Sequence, residues 1–447
     1  MKHIILSALL LCLGILFATP GYVPTTTLAE DFGATWCPGC VTAWQGLQEL
    51  HNHTHNGEFL SARLYTESGD LSNPTVQDRF NYYEVIGVPE VIFNGKVSVL
   101  GSDVGIGDGV LYNKALNQFR YTASPVSISI GSFSPTAGTL TGNVQMVSPT
   151  ASIANAKMVY YLLEDDVSDS DTHVVRAILY DENVALSGVG TNYAFNKSFA
   201  LTPSWNTANL WAIAALQLEN KAILQSASSL PLPSYNFRAA MDWNPSVEGP
   251  ANTSYLSSPL WFFNLGASDN YTMRIQVDQA PDDWYFNYCD EEGNCYPGSM
   301  DRPFSLGAGE MASYHLNLWI GSPGFAYYRF VISSPNLGEY SIPFHYKVEG
   351  VANEDAVLIP SAFSLGKVYP NPVSERAELS INAEKQGSQA TVDIYDLKGR
   401  KVRSQNLTNL SQGQNRIALQ VADLPNGVYF YKLHGQAAPA QKFILMK

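Results

Sequence analysis

Cysteine is scarce in this chain, with five in 447 residues. Charge is scarce too: Asp, Glu, Lys and Arg make up 15% of the residues, and 40 acids outnumber 26 bases. The net charge of -14 and the want of any Lys/Arg run exclude a nucleic-acid backbone as partner. After the first twenty residues no apolar stretch is long enough to cross a bilayer, so no transmembrane span is expected. No Gly-rich phosphate loop, Ser-His-Asp order or paired-carboxylate spacing stands out. No cofactor or metal is therefore expected. What the chain does have is length and aromatic rings. At ~100–200 residues per domain, the length predicts three or four domains. The 25 Tyr and 20 Phe lean toward β structure.

The chain opens MKHIILSALLLCLGILFATPG. A positive start, an apolar run from Ile4 to Phe17 and a small-residue exit read as a secretory signal peptide over residues 1–20. Cys12 lies inside that run and leaves the count. Export places the other four cysteines in an oxidising compartment, where they can form disulfides.

Residues 24–122 alternate element types in the order βαβαββα. Thr25–Phe32 is extended. Over Cys37–His51, Val41, Trp44, Leu47 and Leu50 recur every three residues, which predicts a helix. Phe59–Tyr65 reads as a strand. Asn73 and Pro74 cap a second helix with Val76, Phe80 and Tyr83 on one face. Asn94-Gly95 turns a hairpin between Glu90–Phe93 and Lys96–Leu100. A third helix is expected over Gly109–Tyr121. Beyond it helical periodicity ends, and short strands predict a β-sandwich over 123–234 and another over 235–351. In Asn270–Val277, Tyr271, Met273, Ile275 and Val277 alternate with polar residues. A linker over 352–364 precedes a last all-β block, 365–447.

The pair Cys37-Pro38-Gly39-Cys40 falls where a strand feeds a helix. Cys37 at the helix N-terminus meets unpaired N–H groups and the positive end of the dipole, which favour a thiolate, the attacking species in disulfide exchange. Cys40, one turn on, is placed to resolve the mixed disulfide. Two other readings stand beside this one. An exported pair with no reductant in view can remain an inert staple. A zinc clip wants a second ligand pair, and the other close pair lies in a different block.

These residues resemble the thioredoxin fold: Trp36-Cys37-Pro38-Gly39-Cys40, the βαβαββα order, and Val88-Pro89 just before a strand. The resemblance implies that Pro89 follows a cis bond and that Val88 and Pro89, with Trp36, form the substrate groove. It also implies that Asp31, six residues before Cys37, serves as proton acceptor for Cys40. Glu30 points the other way along the strand, so one of the two acids is expected to face out. Residues 24–234 together resemble the twenty-eight kilodalton outer-membrane protein family, with HVVRAIL (His173–Leu179) and NKAILQSAS (Asn220–Ser228) as loose matches.

Cys289 and Cys295 bracket a short acidic loop and are expected to form a structural disulfide. His51, His53 and His55 fall at a helix end, where a two-residue step shares no face. A solvated terminus is expected rather than a metal site. Asp165, Asp166, Asp169 and Asp171 lack the Gly turn and distal acid of a calcium loop, so a solvated strand-end loop is expected.

Tyr369-Pro370-Asn371-Pro372, then VDIYDLKGRKV (Val392–Val402), LPNGVYFYKL (Leu424–Leu433) and KFILMK resemble a type IX secretion sorting domain. Asp396–Gly399 and Pro425–Gly427 read as its turns. The resemblance implies a small β-sandwich read by an outer-membrane translocon, and a cell-surface or extracellular destination in a Gram-negative bacterium. The fold class expected is thus α/β plus all-β: a thioredoxin-like domain, two immunoglobulin-like β-sandwiches and a sorting domain. The function expected is a thiol–disulfide oxidoreductase acting on protein thiols and disulfides. The alternative is a surface binding or adhesion protein whose first domain is a scaffold with a locked disulfide.

Overall fold

The structure is a computed structural model. It describes residues 21–447 apart from 56, 67–70, 106–109, 169–170, 349–362, 375–376, 384–386, 397–400, 412 and 434–440. The signal peptide, Asp169, most of the expected linker and most of the Asp396–Gly399 turn lie outside the described residues. The described residues are mostly strand, with three α-helices.

After a two-residue strand β1 (Val23–Pro24), the first elements are β2 (Thr27–Gly33), α1 (Pro38–His53), β3 (Phe59–Tyr65), α2 (Pro74–Tyr83), β4 (Glu90–Phe93), β5 (Val97–Leu100) and α3 (Leu111–Asn117). A second short strand, β6 (Ala123–Ser124), pairs with β1. The Asn73 side chain caps α2 by accepting from the Thr75 and Val76 N–H groups, with Pro74 in the first turn. Asn94 and Gly95 take the positive φ values, 44° and 65°, that turn β4 into β5. The third helix is shorter than the periodicity suggested, but Tyr112, Ala115 and Leu116 are its buried residues.

Then come β7 (Val126–Ser134), β8 (Thr139–Met146), β9 (Ser152–Glu164), β10 (Val174–Ser187), β11 (Asn192–Ser198), β12 (Leu210–Gln217) and β13 (Ile223–Ser228). One eight-stranded sheet runs β13-β12-β9-β10-β3-β2-β4-β5 through both sets of elements. Its join is a short parallel contact between β10 and β3, registered Val174 to Arg63.

Along β9 both faces are buried, because different layers cover them. Val159, Tyr161 and Leu163 pack with Val76 and Phe80 of α2. Met158, Tyr160 and Leu162 pack with Leu140 and Val144 of the small sheet β11-β8-β7. The same logic holds in β2: Leu28 and Phe32 join the α2 side, and Ala29 joins Trp44, Leu47 and Leu50 of α1. Both acids between them are buried as well, Glu30 and Asp31 each at 0% exposure. The expectation that one faces out is corrected. A strand alternates its side chains, but a sheet covered on both faces has no outside.

The next block packs a six-stranded sheet on a five-stranded one. Its core is aromatic, with Tyr271, Tyr288, Tyr314, Tyr328 and Phe344. Tyr271, Met273 and Ile275 point inward as their alternation requires, whereas Val277, beside an irregularity in the pairing, is largely exposed. A buried carboxylate joins this block to the first: Glu58 Oε2 meets Arg120 Nε at 3.0 Å, and Glu58 Oε1 accepts from the Tyr340 hydroxyl at 2.5 Å. The last block sets three strands against four around Val392, Ile394, Tyr431 and Phe443.

Candidate functional site

Cys37 and Cys40 form a disulfide at the N-terminus of α1. Cys37 is the N-cap: its backbone is extended, and its sulfur accepts the Cys40 N–H at 3.1 Å. The sulfur thus occupies the place where a helix start favours negative charge. Cys37 is 6% exposed and Cys40 1%, so the first sulfur is the one with an opening. Trp36 beside it is 62% exposed.

Two glycines bring other chain segments against the pair. A Cβ on Gly39 would stand 3.3 Å from Pro89 Cδ, and one on Gly33 would stand 3.6 Å from Cys40 Sγ. The Val88–Pro89 bond is cis, and Val88 packs with Ala34, Cys37 and Cys40. Gly33 ends β2, and Asp31 lies two residues before it on the same face, about 7 Å along the strand. Neither carboxylate oxygen of Asp31 has a hydrogen-bond partner among the described residues. Burial raises the Asp31 pKa to about 7, against the opposing pull of Arg63. Arg63 Nε is 3.7 Å from Asp31 Oδ2, and its Nη1 donates to Asp171 Oδ1 at 3.0 Å.

Arg63 was not singled out in the sequence, and Asp171 was read there only as one of four acids of a solvated strand-end loop. The signal for Arg63 was present: one charge inside the apolar strand FLSARLY needs an acid, and the parallel register sets it beside Asp31. Nothing local ties Asp171 to this site, because it arrives from 108 positions away.

On the opposite face of β2, Glu30 is fully satisfied. It takes Arg79 Nε at 2.6 Å, Arg79 Nη2 at 3.0 Å, and the hydroxyls of Tyr83 and Tyr161 at 2.7 and 2.8 Å. The expected solvated histidine terminus is corrected in part. His53 is exposed, but His51 Nε2 lies 2.8 Å from Ser61 Oγ, which is 3.0 Å from His173 Nδ1, and the His55 ring lies against Tyr340. Burial and the neighbouring His173 lower the His51 pKa to about 3. The solvated acidic loop is corrected in part too: Asp166 is exposed, but Asp165 accepts from the His173 N–H and from Trp211 Nε1, and Asp171 accepts from Arg63 and Tyr65. Burial of the partners across the sheet, invisible in a local window, is the reason in both cases.

Cys289 and Cys295 form the second disulfide, across a strand pair. Asp290 orders the loop between them by accepting from the Asn294 N–H at 2.8 Å and from the Tyr296 hydroxyl at 2.9 Å.

At the C-terminus, distant sequence pieces meet. Val373 N–H donates to Ile444 O and Met446 N–H to Val373 O, both at 2.7 Å, while Asn371 Oδ1 accepts from the Ile444 N–H. The Tyr431 hydroxyl accepts the Val368 N–H at 3.1 Å. The Tyr369–Pro372 stretch, the VYFYKL strand and the terminal strand are therefore one assembly.

No helix among the described residues is long and apolar enough to cross a membrane. No curated protein matches the chain. Solved structures give distant likenesses. Dimeric latent PorU from Porphyromonas gingivalis is 14% identical, covering 72% of this chain and 34% of its own, with a TM-score of 0.17. The chain thus spans about a third of that protein. The secreted serine protease VesC from Vibrio cholerae is 11% identical over 66% of this chain and 73% of its own, TM-score 0.22. The N-terminal domain of PorA is 13% identical over 26% of this chain and 98% of its own, TM-score 0.19. Residues 367–447 match the secretion system C-terminal sorting domain, here of the type IX kind, which marks the protein for export to the cell surface or the extracellular space.

Proposed function

We propose that the protein is an exported thiol–disulfide oxidoreductase with a thioredoxin-like first domain, carried outward by its sorting domain. The observation that carries this reading is Asp31: a wholly buried carboxyl without a hydrogen-bond partner, on the strand face that Gly33 presents to Cys40. A buried acid left without a hydrogen bond destabilises a fold, and a structural staple has no use for one. The order β3-β2-β4-β5, with helices on both faces and Pro89 against the disulfide, supports the same reading.

In the oxidising direction, a substrate thiolate attacks Cys37 Sγ. The Cys37–Cys40 bond breaks, a substrate–Cys37 disulfide forms, and Cys40 leaves with the electron pair. Protonated Asp31 supplies the proton to Cys40, through one water across the gap. A second substrate thiolate then attacks the substrate sulfur and releases Cys37 as thiolate. The substrate dithiol is oxidised and the cysteine pair reduced by two electrons. The reverse sequence reduces a substrate disulfide. Trp36, Val88 and Pro89 line the approach.

The second reading, a surface binding or adhesion scaffold with a locked disulfide, draws support from the burial of both cysteines. Two measurements separate them. Cys40→Ala should trap protein partners as mixed disulfides on Cys37, and the wild type should exchange with a reduced peptide. No trapped partner and no exchange, with a reduction potential well below about −300 mV, would establish the staple.

A further inference from the structure

We infer that Asp171, on the loop leading into β10, is a positioning residue of the Cys37–Cys40 site: it shares the Arg63 guanidinium with Asp31 and holds that charge away from the carboxyl beside the disulfide. Its consequence for exchange rests on the oxidoreductase reading, but the charge sharing itself is independent of it.

Arg63 enters the space beside Asp31 because β2 and β3 pair in parallel, with Asp31 registered to Arg63. Left alone, a buried guanidinium beside a buried acid would form a close ion pair and hold the acid ionised. The observed geometry is different. The contact to Asp31 is 3.7 Å, whereas that to Asp171 is a 3.0 Å hydrogen bond. Asp171 is the better partner for a physical reason. It keeps 19% of its side chain exposed, so holding the cation there costs less desolvation, while Asp31 has no exposure at all.

The surroundings fix the guanidinium in this shared position. Its carbon lies 5.3 Å from the Trp44 ring centre and 5.0 Å from that of Tyr65. The Tyr65 hydroxyl donates to the same Asp171 oxygen that Arg63 uses. The backbone holds the two segments together, since Arg63 N–H donates to His173 O at 2.9 Å. Among the described residues, the titratable groups around Asp31 are Arg63 and Tyr65 on β3 and Tyr112 on α3. Around Asp171, again among the described residues, they are Arg63 and Tyr65, with the Ser168 hydroxyl as a further donor. Arg63 is therefore the cation common to both acids. The second set of strands thus contributes a side chain to the electrostatics of the first.

Asp171→Asn in the full chain removes the carboxylate that hydrogen-bonds the guanidinium and leaves more of its charge to Asp31, which must then ionise at lower pH. The direct readout is the carboxyl carbon resonance of Asp31 in protein labelled with carbon-13 aspartate, identified by its loss in Asp31→Asn. The expected result is a proton affinity at Asp31 at least tenfold lower in Asp171→Asn, with Asp171→Glu close to wild type. With Arg63→Gln in place, the effect of Asp171→Asn on Asp31 should vanish. An Asp31 midpoint unmoved in folded Asp171→Asn would overturn the inference; Asp171→Ser is the second uncharged variant should the first not fold. A moved midpoint in a protein that exchanges no thiols leaves the charge sharing standing and defeats the enzyme reading. An unmoved midpoint in a protein that does exchange them does the reverse.

Discussion

Glu30 and Asp31 are adjacent on one strand, are equally buried, and have opposite fates. Glu30 has four short hydrogen bonds from Arg79, Tyr83 and Tyr161. Asp31 has none among the described residues, and its cation stands 3.7 Å away with a stronger bond elsewhere. The fold evidently has the means to satisfy a buried carboxylate on this strand. Leaving the second one unsatisfied beside a disulfide is what the proposed exchange chemistry needs of an acid, and what a structural acid avoids.

Asp31 should make stability fall as pH rises. Its folded pKa, about 7, lies above the ordinary aspartate value of 3.8, so the native state holds a proton that the unfolded chain has lost. Stability from this group is therefore intact below pH 4 and is lost as pH rises to 7. The whole shift is on the order of 4 kcal/mol at ~1.4 kcal/mol per unit. Asp31→Asn should flatten the dependence of urea-unfolding free energy on pH across that window. A slope identical to wild type would show that the acid is not held neutral.

The Glu30–Arg79 pair should stabilise the fold as a unit. Both side chains are wholly buried, and Arg79 Nη1 also donates to Gln217 Oε1 at 2.8 Å. Arg79→Met leaves a buried carboxylate without its cation and should cost roughly 3–5 kcal/mol. Replacing both, as Glu30→Leu with Arg79→Met, should recover most of that loss. A double variant as unstable as the single one would mean that the hydroxyls, not the charge pair, carry the interaction. Chemical denaturation of the three variants decides it.

Much of this architecture is written in short windows of sequence. Asn73-Pro74 opens α2, Asn94-Gly95 turns β4 into β5, and Cys37 starts α1, because capping and turn chemistry act within a few residues. The cysteines of each disulfide were legible for the same reason. What was not legible depends on layers meeting. Whether Glu30 faces water is decided by α2 and β9, and His51 is buried by a strand pair that also brings His173. Asp171 reaches Arg63 only because β10 joins β3 in the same sheet. No periodicity within either segment encodes that join.

His51 should confer acid sensitivity. Its folded pKa, about 3, lies below the ordinary histidine value of 6.5, so the unfolded state takes up a proton that the native state refuses. Stability from this group is present above pH 6.5 and is lost as pH falls toward 3. His51→Gln keeps a polar partner for Ser61 without the titration. It should reduce the acid-side slope of unfolding free energy by up to one proton, read from urea curves between pH 4 and 6.5. An unchanged slope would place the acid sensitivity elsewhere.

The terminal strand should be indispensable for export. Gln441–Leu445 is the last strand of its sheet, pairs along Gly427–Leu433, and gives and takes backbone hydrogen bonds with Val373 beyond the Tyr369–Pro372 stretch. Deleting residues 441–447 strips those bonds at once, along with the capping of the Leu424 carbonyl by the Lys447 ammonium at 2.7 Å. It also uncovers Tyr429 and Tyr431, whose rings pack on Phe443. The remaining sheet presents an unpaired edge and an open core, so the sorting fold itself should fail. In cells the truncated chain should be retained inside the outer membrane while the full chain reaches the outside. Fractionation with surface proteolysis reads this directly. Normal surface delivery of the truncated chain would show that the sorting signal lies in the earlier strands alone.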